Sequence, residues 1–358
     1  MDKKSLLLFL LGIGIIAGIS WFIGIRDIIS EVSKLSFEWF LALLGIQLLI
    51  LVLLAVKWQI VLHKTKVSFL NTLKASFVGY LANNITPIGI AGGEPVRAYL
   101  LHKIDKISIE RSFASVVVDL FLHIFPLLFL ITIALIFAVN VGASVNINLF
   151  GATIKVAITI VLAIAAILLV SGFSAVIGLL LNKRYSMKII LFFIKILLKI
   201  PYLKNVESIR TAESRIDGIV SKFRKSLRMF ANKFTLFFGT MVSLTIWLLS
   251  VFRMYLIFLA LGFSSPNLLL VVLIVQLTVI AISSVPALPG AVGIWEGSSI
   301  ALFALFGIGA ALAAAVTIID RVFSFWISSL IGGVSSVYVG AEEIMKGSRI
   351  EGYEELKY

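Results

Sequence analysis

Cysteine is absent, histidine is limited to His63, His102 and His123, and charged residues make up only 14 % of the 358-residue chain. The missing thiols exclude disulfides, thiolate metal sites and thiol nucleophiles. Three scattered histidines give no zinc-ligand spacing, so no metal site is expected. The low charge lies well under the roughly one quarter of a soluble domain, which excludes an ordinary cytosolic enzyme. What fills the chain instead is 60 % hydrophobic residues, with a mean hydropathy of +1.11. Apolar runs of about 20 residues recur, each long enough to cross the hydrocarbon of a bilayer. The expectation is a polytopic, all-α membrane protein. A net charge of +13 then marks cytoplasmic loops and anionic lipid headgroups rather than nucleic acid.

Apolar spans are predicted at 5–25, 39–62, 112–140, 151–182, 234–261, 268–285 and 311–340. The first is too long for a removable signal, and no small-residue cleavage site follows it. The segment 183–233 carries 13 Lys and Arg against Glu207, Glu213 and Asp217. By the positive-inside rule it is cytoplasmic. The connections at 141–150 and 262–267 carry no charge and fit the opposite side, with no outer loop longer than about a dozen residues on this topology.

Two segments do not read as simple spans. Residues 68–97 are flanked by Lys64 and Lys66 on one side and by Arg97, Lys103, Lys106 and Arg111 on the other. Both flanks therefore face the cytoplasm, and the segment is expected to enter, break at Pro87 and the following glycines, and return. Residues 268–306 enter as an apolar helix, break at 285–293 (VPALPGAVG) and resume as a second half-helix. If that hairpin opens outward, both termini lie inside. Irregular backbone at membrane depth is tolerated only where protein or a wet cavity satisfies it. Two re-entrant hairpins thus imply a cavity.

The halves echo each other. Pro87 precedes Glu94 by seven residues and Pro289 precedes Glu296 by seven; Asp119 follows Glu94 by 25 and Asp320 follows Glu296 by 24. The expected organisation is one transmembrane domain over 1–341, with an inverted repeat of about 39–140 and 234–340 around the basic amphipathic region 183–233. A cytoplasmic tail follows at 342–358. Broken helices in an inverted repeat are the architecture of alternating-access transporters. Within 183–233, Lys188, Lys195 and Lys199 mark one interfacial helix. The apolar positions from Val206 through Leu227 and Phe230 mark a second, which lies on the inner leaflet or caps the bundle.

Charged side chains at membrane depth usually face a cavity or a partner. The candidates are Glu94, Arg97, Asp119, Arg253, Glu296, Asp320 and Arg321. Gly92-Gly93-Glu94-Pro95-Val96-Arg97 has the marks of a helix N-terminus, where unpaired N–H groups and an arginine fork suit phosphate. Glu94 would cap that helix, pair with Arg97 or meet a cationic headgroup. Gly290 and Gly293 precede Glu296, which is a dipole-favoured cap or, partnered by Arg321 or Arg253, a functional carboxylate. Asp320 and Arg321 are adjacent, so their partners are expected on other helices, with pairs to the Glu94 and Glu296 hairpins the natural ones. Arg253 would do the same or snorkel. Asp119 and His123 share a face and suggest a packed polar pair or a proton relay. Asn83 and Asn84 at the hairpin entry would bind a headgroup or end the helix.

The stretches NITPIGIAGGEPVRAYLL (84–101), ERSFASVVVD (110–119), LPGAVGIWEG (288–297) and IIDRVFSFW (318–326), in this order, resemble the lysylphosphatidylglycerol synthase/flippase transmembrane-region family. The resemblance implies a flippase-like membrane protein in which Glu94, Arg97, Glu296 and Arg321 line a lipid headgroup cavity. Relatives often carry a basic residue where Trp295 stands. The chain ends at Tyr358 without the soluble aminoacyl-transferase domain of fused members, so synthase activity is not part of the expectation.

The leading expectation is a non-enzymatic, cofactor-free lipid flippase of the cell membrane. It would move a phospholipid, aminoacyl-phospholipid, glycolipid or polyprenyl-phosphate. The glycines form no P-loop, so ATP does not drive it directly. The alternatives are a membrane-embedded lipid transferase and a lipid-presenting partner of a separate synthase. The partners expected are membrane lipids, a separate lipid-modifying synthase and a second copy of the chain, with no nucleic acid.

Overall fold

The computed structural model describes residues 3–86, 92–141, 144–149, 152–157, 221–283 and 288–340, with a few single positions between 159 and 171 and at 218. The expected break at Pro87, the interfacial helix at 186–200 and the tail at 342–358 lie outside the described residues.

Helix α1 (Lys3–Ile23) meets α2 (Ile25–Val32) at Gly24, and the two axes differ by 94°. Helix α3 (Phe37–Val61) starts on Ser36, and a 3-10 turn extends it to Lys64. Next come α4 (Phe69–Ile85) and α5 (Glu94–Asp105). Ser68 caps α4 by accepting from Asn71 N at 3.2 Å, which satisfies one of the free N–H groups of a first turn. The long α6 (Ile109–Val141) closes the first half.

The second half runs through α7 (Lys233–Ala260), capped by Asn232 at Thr235 N, then α8 (Leu268–Ser283) and α9 (Ile294–Leu305). It ends in α10 (Ala310–Gly340), whose regular turns give way to a π-helical stretch at Val322–Ile327. Among the described residues α3, α6, α7 and α10 are long and apolar enough to span a membrane, and the bent α1–α2 pair adds a fifth candidate. At 16 residues α8 reaches about 24 Å, and the 12-residue α5 and α9 only about 18 Å, short of a 30 Å hydrocarbon core.

The fold is therefore helical as expected, with one exception. Ser144–Leu149 and Ala152–Ala157 form an antiparallel hairpin, in which Asn146 pairs with Lys155. The span expected from 151 thus begins as a strand through Ala157, and the connection leaving α6 is longer than the predicted dozen residues. The physical reason is composition. Alternating Val, Ile and Thr favour a pleated strand, and the uncharged 141–150 segment supplies its partner.

Two apolar cores result. One joins α3, α6, α7, α8, α9 and α10 around Leu43, Phe258, Phe303 and Phe323. The other gathers Trp58, Leu62, Ala75, Leu101, Val116 and Leu122. Residues 221–230 are helical, and their Leu227 and Phe230 are buried in that second core. Of the two placements open to this amphipathic segment, its described part caps the bundle. Helices α3 and α7 make the most extensive contact between the halves.

Candidate functional site

In the first half, four charges meet. Arg97, one turn into α5, places Nη1 3.0 Å from Glu94 Oε2 and Nη2 2.9 Å from Asp119 Oδ2 on α6. Lys57 of α3 stands 3.2 Å from the other Asp119 oxygen and donates to the Asp119 carbonyl at 3.1 Å. Lys57 and Asp119 side chains are each only 2 % exposed. The guanidinium lies over the Trp58 ring at 4.2 Å, and the Trp58 indole donates to Ser115 Oγ at 3.2 Å. Two cations and two carboxylates leave the group neutral, as burial of charge at membrane depth demands.

The glycines ahead of Glu94 make this possible by close approach. A Cβ on Gly93 would overlap the Gly79 carbonyl oxygen, and one on Gly79 would overlap the Arg97 side chain. Gly92 lies against the Thr86 hydroxyl. Asn83 Oδ1 accepts from Gly93 N at 2.5 Å, which ties the start of α5 to the end of α4.

In the second half, Arg253 of α7 donates to Asp320 Oδ1 from Nε at 3.0 Å and from Nη2 at 2.7 Å. Its Nη1 reaches Gln47 Oε1 on α3, and Gln47 Nε2 donates to Ser328 Oγ at 2.7 Å. Arg321 Nε donates to Glu296 Oε1 at 2.7 Å, while its Nη2 donates to the Gly290 carbonyl at 2.9 Å. The other Glu296 oxygen accepts from Gly293 N at 2.6 Å. Glu296 is therefore both a cap and a paired carboxylate. Its break carries strain at Ala291, a non-glycine in left-handed backbone, φ 52°, uncommon away from special sites, while Gly290 beside it takes φ 57° freely.

The two halves touch where the last turns of α4 meet α10 and the second break. Asn84, in the last turn of α4, donates to Ser329 Oγ at 2.8 Å, and Tyr80 one turn earlier donates to the Ser324 carbonyl at 3.1 Å. A Cβ on Gly290 would overlap the Phe325 ring and approach the Asn84 carbonyl to 2.8 Å. Gly332 of α10 lies against the Phe77 carbonyl in the same way. The π stretch follows Arg321 directly and presents Ser324 and Phe325 to these partners. π turns inside α-helices occur mostly at functional sites.

The predicted residues thus assemble as Glu94–Arg97–Asp119, Arg253–Asp320 and Glu296–Arg321, with Asn84 between the halves. Two expectations change, and Arg97 and Arg253 each take one of the alternatives left open. Asp119 pairs with Lys57 and Arg97, which take one carboxylate oxygen each, and His123 stacks instead on Trp247 at 4.7 Å. Arg97 is held by two carboxylates, so a phosphate would have to displace them. Asp320 finds Arg253 and not the Glu94 hairpin. Arg253 is buried and does not snorkel. Two residues escaped the sequence reading, Lys57 and Gln47. Both are polar positions inside an otherwise apolar span, ten residues apart on α3, and that interruption was the available signal.

The family described as lysylphosphatidylglycerol synthase TM region matches residues 9–332. A UPF0104 membrane protein of Methanothermobacter thermautotrophicus is 30 % identical, over 95 % of this chain and 97 % of its own. One of Pyrococcus horikoshii is 28 % identical over 92 % and 96 %. A third, of Methanocaldococcus jannaschii, is 25 % identical over 95 % and 96 %. No solved structure matches the chain. The match runs from α1 into α10 and takes in both buried ion clusters: this multi-pass membrane protein belongs to the lysylphosphatidylglycerol synthase TM region family.

Proposed function

We infer that the chain is a lipid flippase of the cell membrane, moving a lipid with a polar or phosphate-bearing headgroup past its two ion clusters. The observation that carries this reading is the correspondence between the halves. In each, a long helix supplies a cation (Lys57, Arg253) to an aspartate on the closing long helix (Asp119, Asp320). In each, a short helix after a break supplies a carboxylate (Glu94, Glu296) paired to an arginine. The short helices are read as re-entrant hairpins and the halves as an inverted repeat with both termini cytoplasmic, so that one half rocks against the other.

Broken helices in a bilayer need their freed backbone groups satisfied by protein or by a wet cavity. Buried ion pairs are poor stabilisers, because desolvation offsets their attraction. Charges kept at membrane depth at that cost favour a working role over a purely architectural one. The headgroup exchanges with the existing pairs: its phosphate takes Arg97 or Arg321, while acyl chains stay in the hydrocarbon.

The test is translocation in proteoliposomes of fluorescent anionic, aminoacyl and polyprenyl-phosphate lipids. Wild type is compared with Glu94→Gln, Arg97→Gln, Glu296→Gln and Arg321→Gln. Headgroup-dependent movement lost in folded variants supports the reading. No movement of any lipid, with one lipid co-purifying, replaces it with a lipid-presenting partner or a membrane-embedded transferase.

A further inference from the structure

Helix α2 places Ile25, Ile28, Ile29 and Val32 at i, i+3, i+4 and i+7, so all four share one face. Arg26, Asp27, Ser30 and Glu31 occupy the other. A short amphipathic helix at 94° to the apolar α1 has the geometry of one lying in the interface, apolar face toward the hydrocarbon. The turn depends on Gly24, whose φ of 107° is open to glycine and strained for other residues.

Protein seals only part of the apolar face of α2: Ile28 is buried and Val32 packs against the first core. Ile25 is 45 % and Ile29 60 % exposed. All four residues line a groove of about 330 Å³, whose other walls are Ser20 of α1 and Ile318 of α10. That volume is at the lower end of ligand sites, suited to one chain rather than a whole lipid.

On both walls the groove adjoins elements that carry or cover the Glu296–Arg321 pair. On α10, Ile318 lies one turn before Arg321, and residues three apart are surface neighbours on a helix. On α1, Ile19, beside the lining Ser20, packs over Gly297, the residue after Glu296; a Cβ there would sit 3.2 Å from Ile19 Cδ1. Further along α1, Gly12 rests against the carbonyl of Val292 at the second break. Thus α1 covers the break on one flank and walls the groove on the other.

We propose that the elbow of α1 and α2 seats one acyl chain of a membrane lipid, holding the tail beside the Glu296–Arg321 pair. The occupant follows from position: an apolar slot walled by an amphipathic helix, the apolar α1 and the membrane-spanning α10 faces acyl chains as its solvent. The role as a tail seat during movement rests on the flippase reading above; occupancy does not, and is read separately.

The experiment uses the full chain in nanodiscs containing a phospholipid with a photoactivatable group on one acyl chain, with labelled peptides mapped by mass spectrometry. Labelling is expected to concentrate on 20–32 and on the peptide carrying Ile318, about tenfold above the lipid-facing Phe237, Leu248 and Phe252 of α7. Ser20→Trp and Ile29→Trp fill the slot from its rim and should abolish the excess. Leu248→Trp, equally exposed, should not change it. Equal labelling of all exposed apolar faces, or an excess that survives both filling variants, would show boundary lipid only and overturn the proposal. Glu296→Gln separates the two readings. If it stops translocation and leaves labelling intact, both stand; if wild type moves no lipid while the elbow is still labelled, the flippase reading alone falls.

Discussion

Arg321 Nε lies 2.7 Å from Glu296 Oε1 while its Nη2 lies 2.9 Å from the Gly290 carbonyl, so one guanidinium holds the second break to both sides of its own strained turn. Removing it leaves a buried carboxylate with only the Gly293 N–H and an orphaned carbonyl. Arg321→Gln is expected to cost about 3–5 kcal/mol, the range for breaking one partner out of a buried pair. The Glu296→Gln/Arg321→Gln double variant should cost less than the sum, with a coupling of about 0.5–3 kcal/mol. Thermal unfolding in detergent across the four-member cycle reads this. Additive losses would mean that the pair carries no interaction energy.

Charge neutrality in the first cluster predicts a rescue. Lys57→Met leaves Arg97 alone against Glu94 and Asp119, an uncompensated buried negative charge. Adding Glu94→Gln returns the cluster to one cation and one anion. The double variant should be more stable than Lys57→Met by about 1–3 kcal/mol, even though it carries one more substitution. If it is instead less stable, Lys57 acts through its contact with the Asp119 carbonyl and not through charge.

Close approach at Gly79 and Gly93 predicts a steric failure without any change in charge. Gly93→Ala forces a methyl into the Gly79 carbonyl, and overpacking of this kind costs about 1–3 kcal/mol or more. Gly45, on the same α3 that carries Lys57, has open space around its Cβ position, and Gly45→Ala should be neutral or slightly stabilising, since alanine favours helix. Side-by-side melting curves separate the two.

Much of this was legible beforehand, and the reason lies in how membrane proteins are patterned. A carboxylate or arginine inside an apolar run has few places to go, so Glu296 with Arg321 and Glu94 with Arg97 could be paired from sequence. The short helices were legible from proline, glycine and flanking charge. Partner choice among equivalents was not. Asp119 could face His123, Arg97 or Lys57, and only the close packing of α4 on α5 delivers Arg97 to it. Gln47 and Lys57 were missed because hydropathy averages them away within 25 residues of α3. The β-hairpin was missed because an uncharged Val- and Ile-rich run reads equally as a strand or as the start of a span.

The re-entrant reading makes a topological prediction, and the absence of cysteine makes it directly measurable. If α4 and α5 enter and leave on one side, positions before α4 and after α5 share a compartment. Lys66 and Ser108 are exposed positions of that kind. If α8 and α9 form the opposed hairpin, Ser265 before α8 and Ala310 after α9, also exposed, share the other compartment. Single-cysteine variants Lys66→Cys, Ser108→Cys, Ser265→Cys and Ala310→Cys in sealed, right-side-out vesicles should divide two and two. An impermeant maleimide should label Ser265→Cys and Ala310→Cys at once, and the other pair only after the membrane is opened. The positive charge around Lys64, Lys66, Lys103 and Arg111 sets that direction. A crossing by α4 and α5 together as a single bent span would put Lys66 and Ser108 on opposite sides. That result would remove the first re-entrant hairpin, and with it the inverted relation between the halves on which alternating access depends.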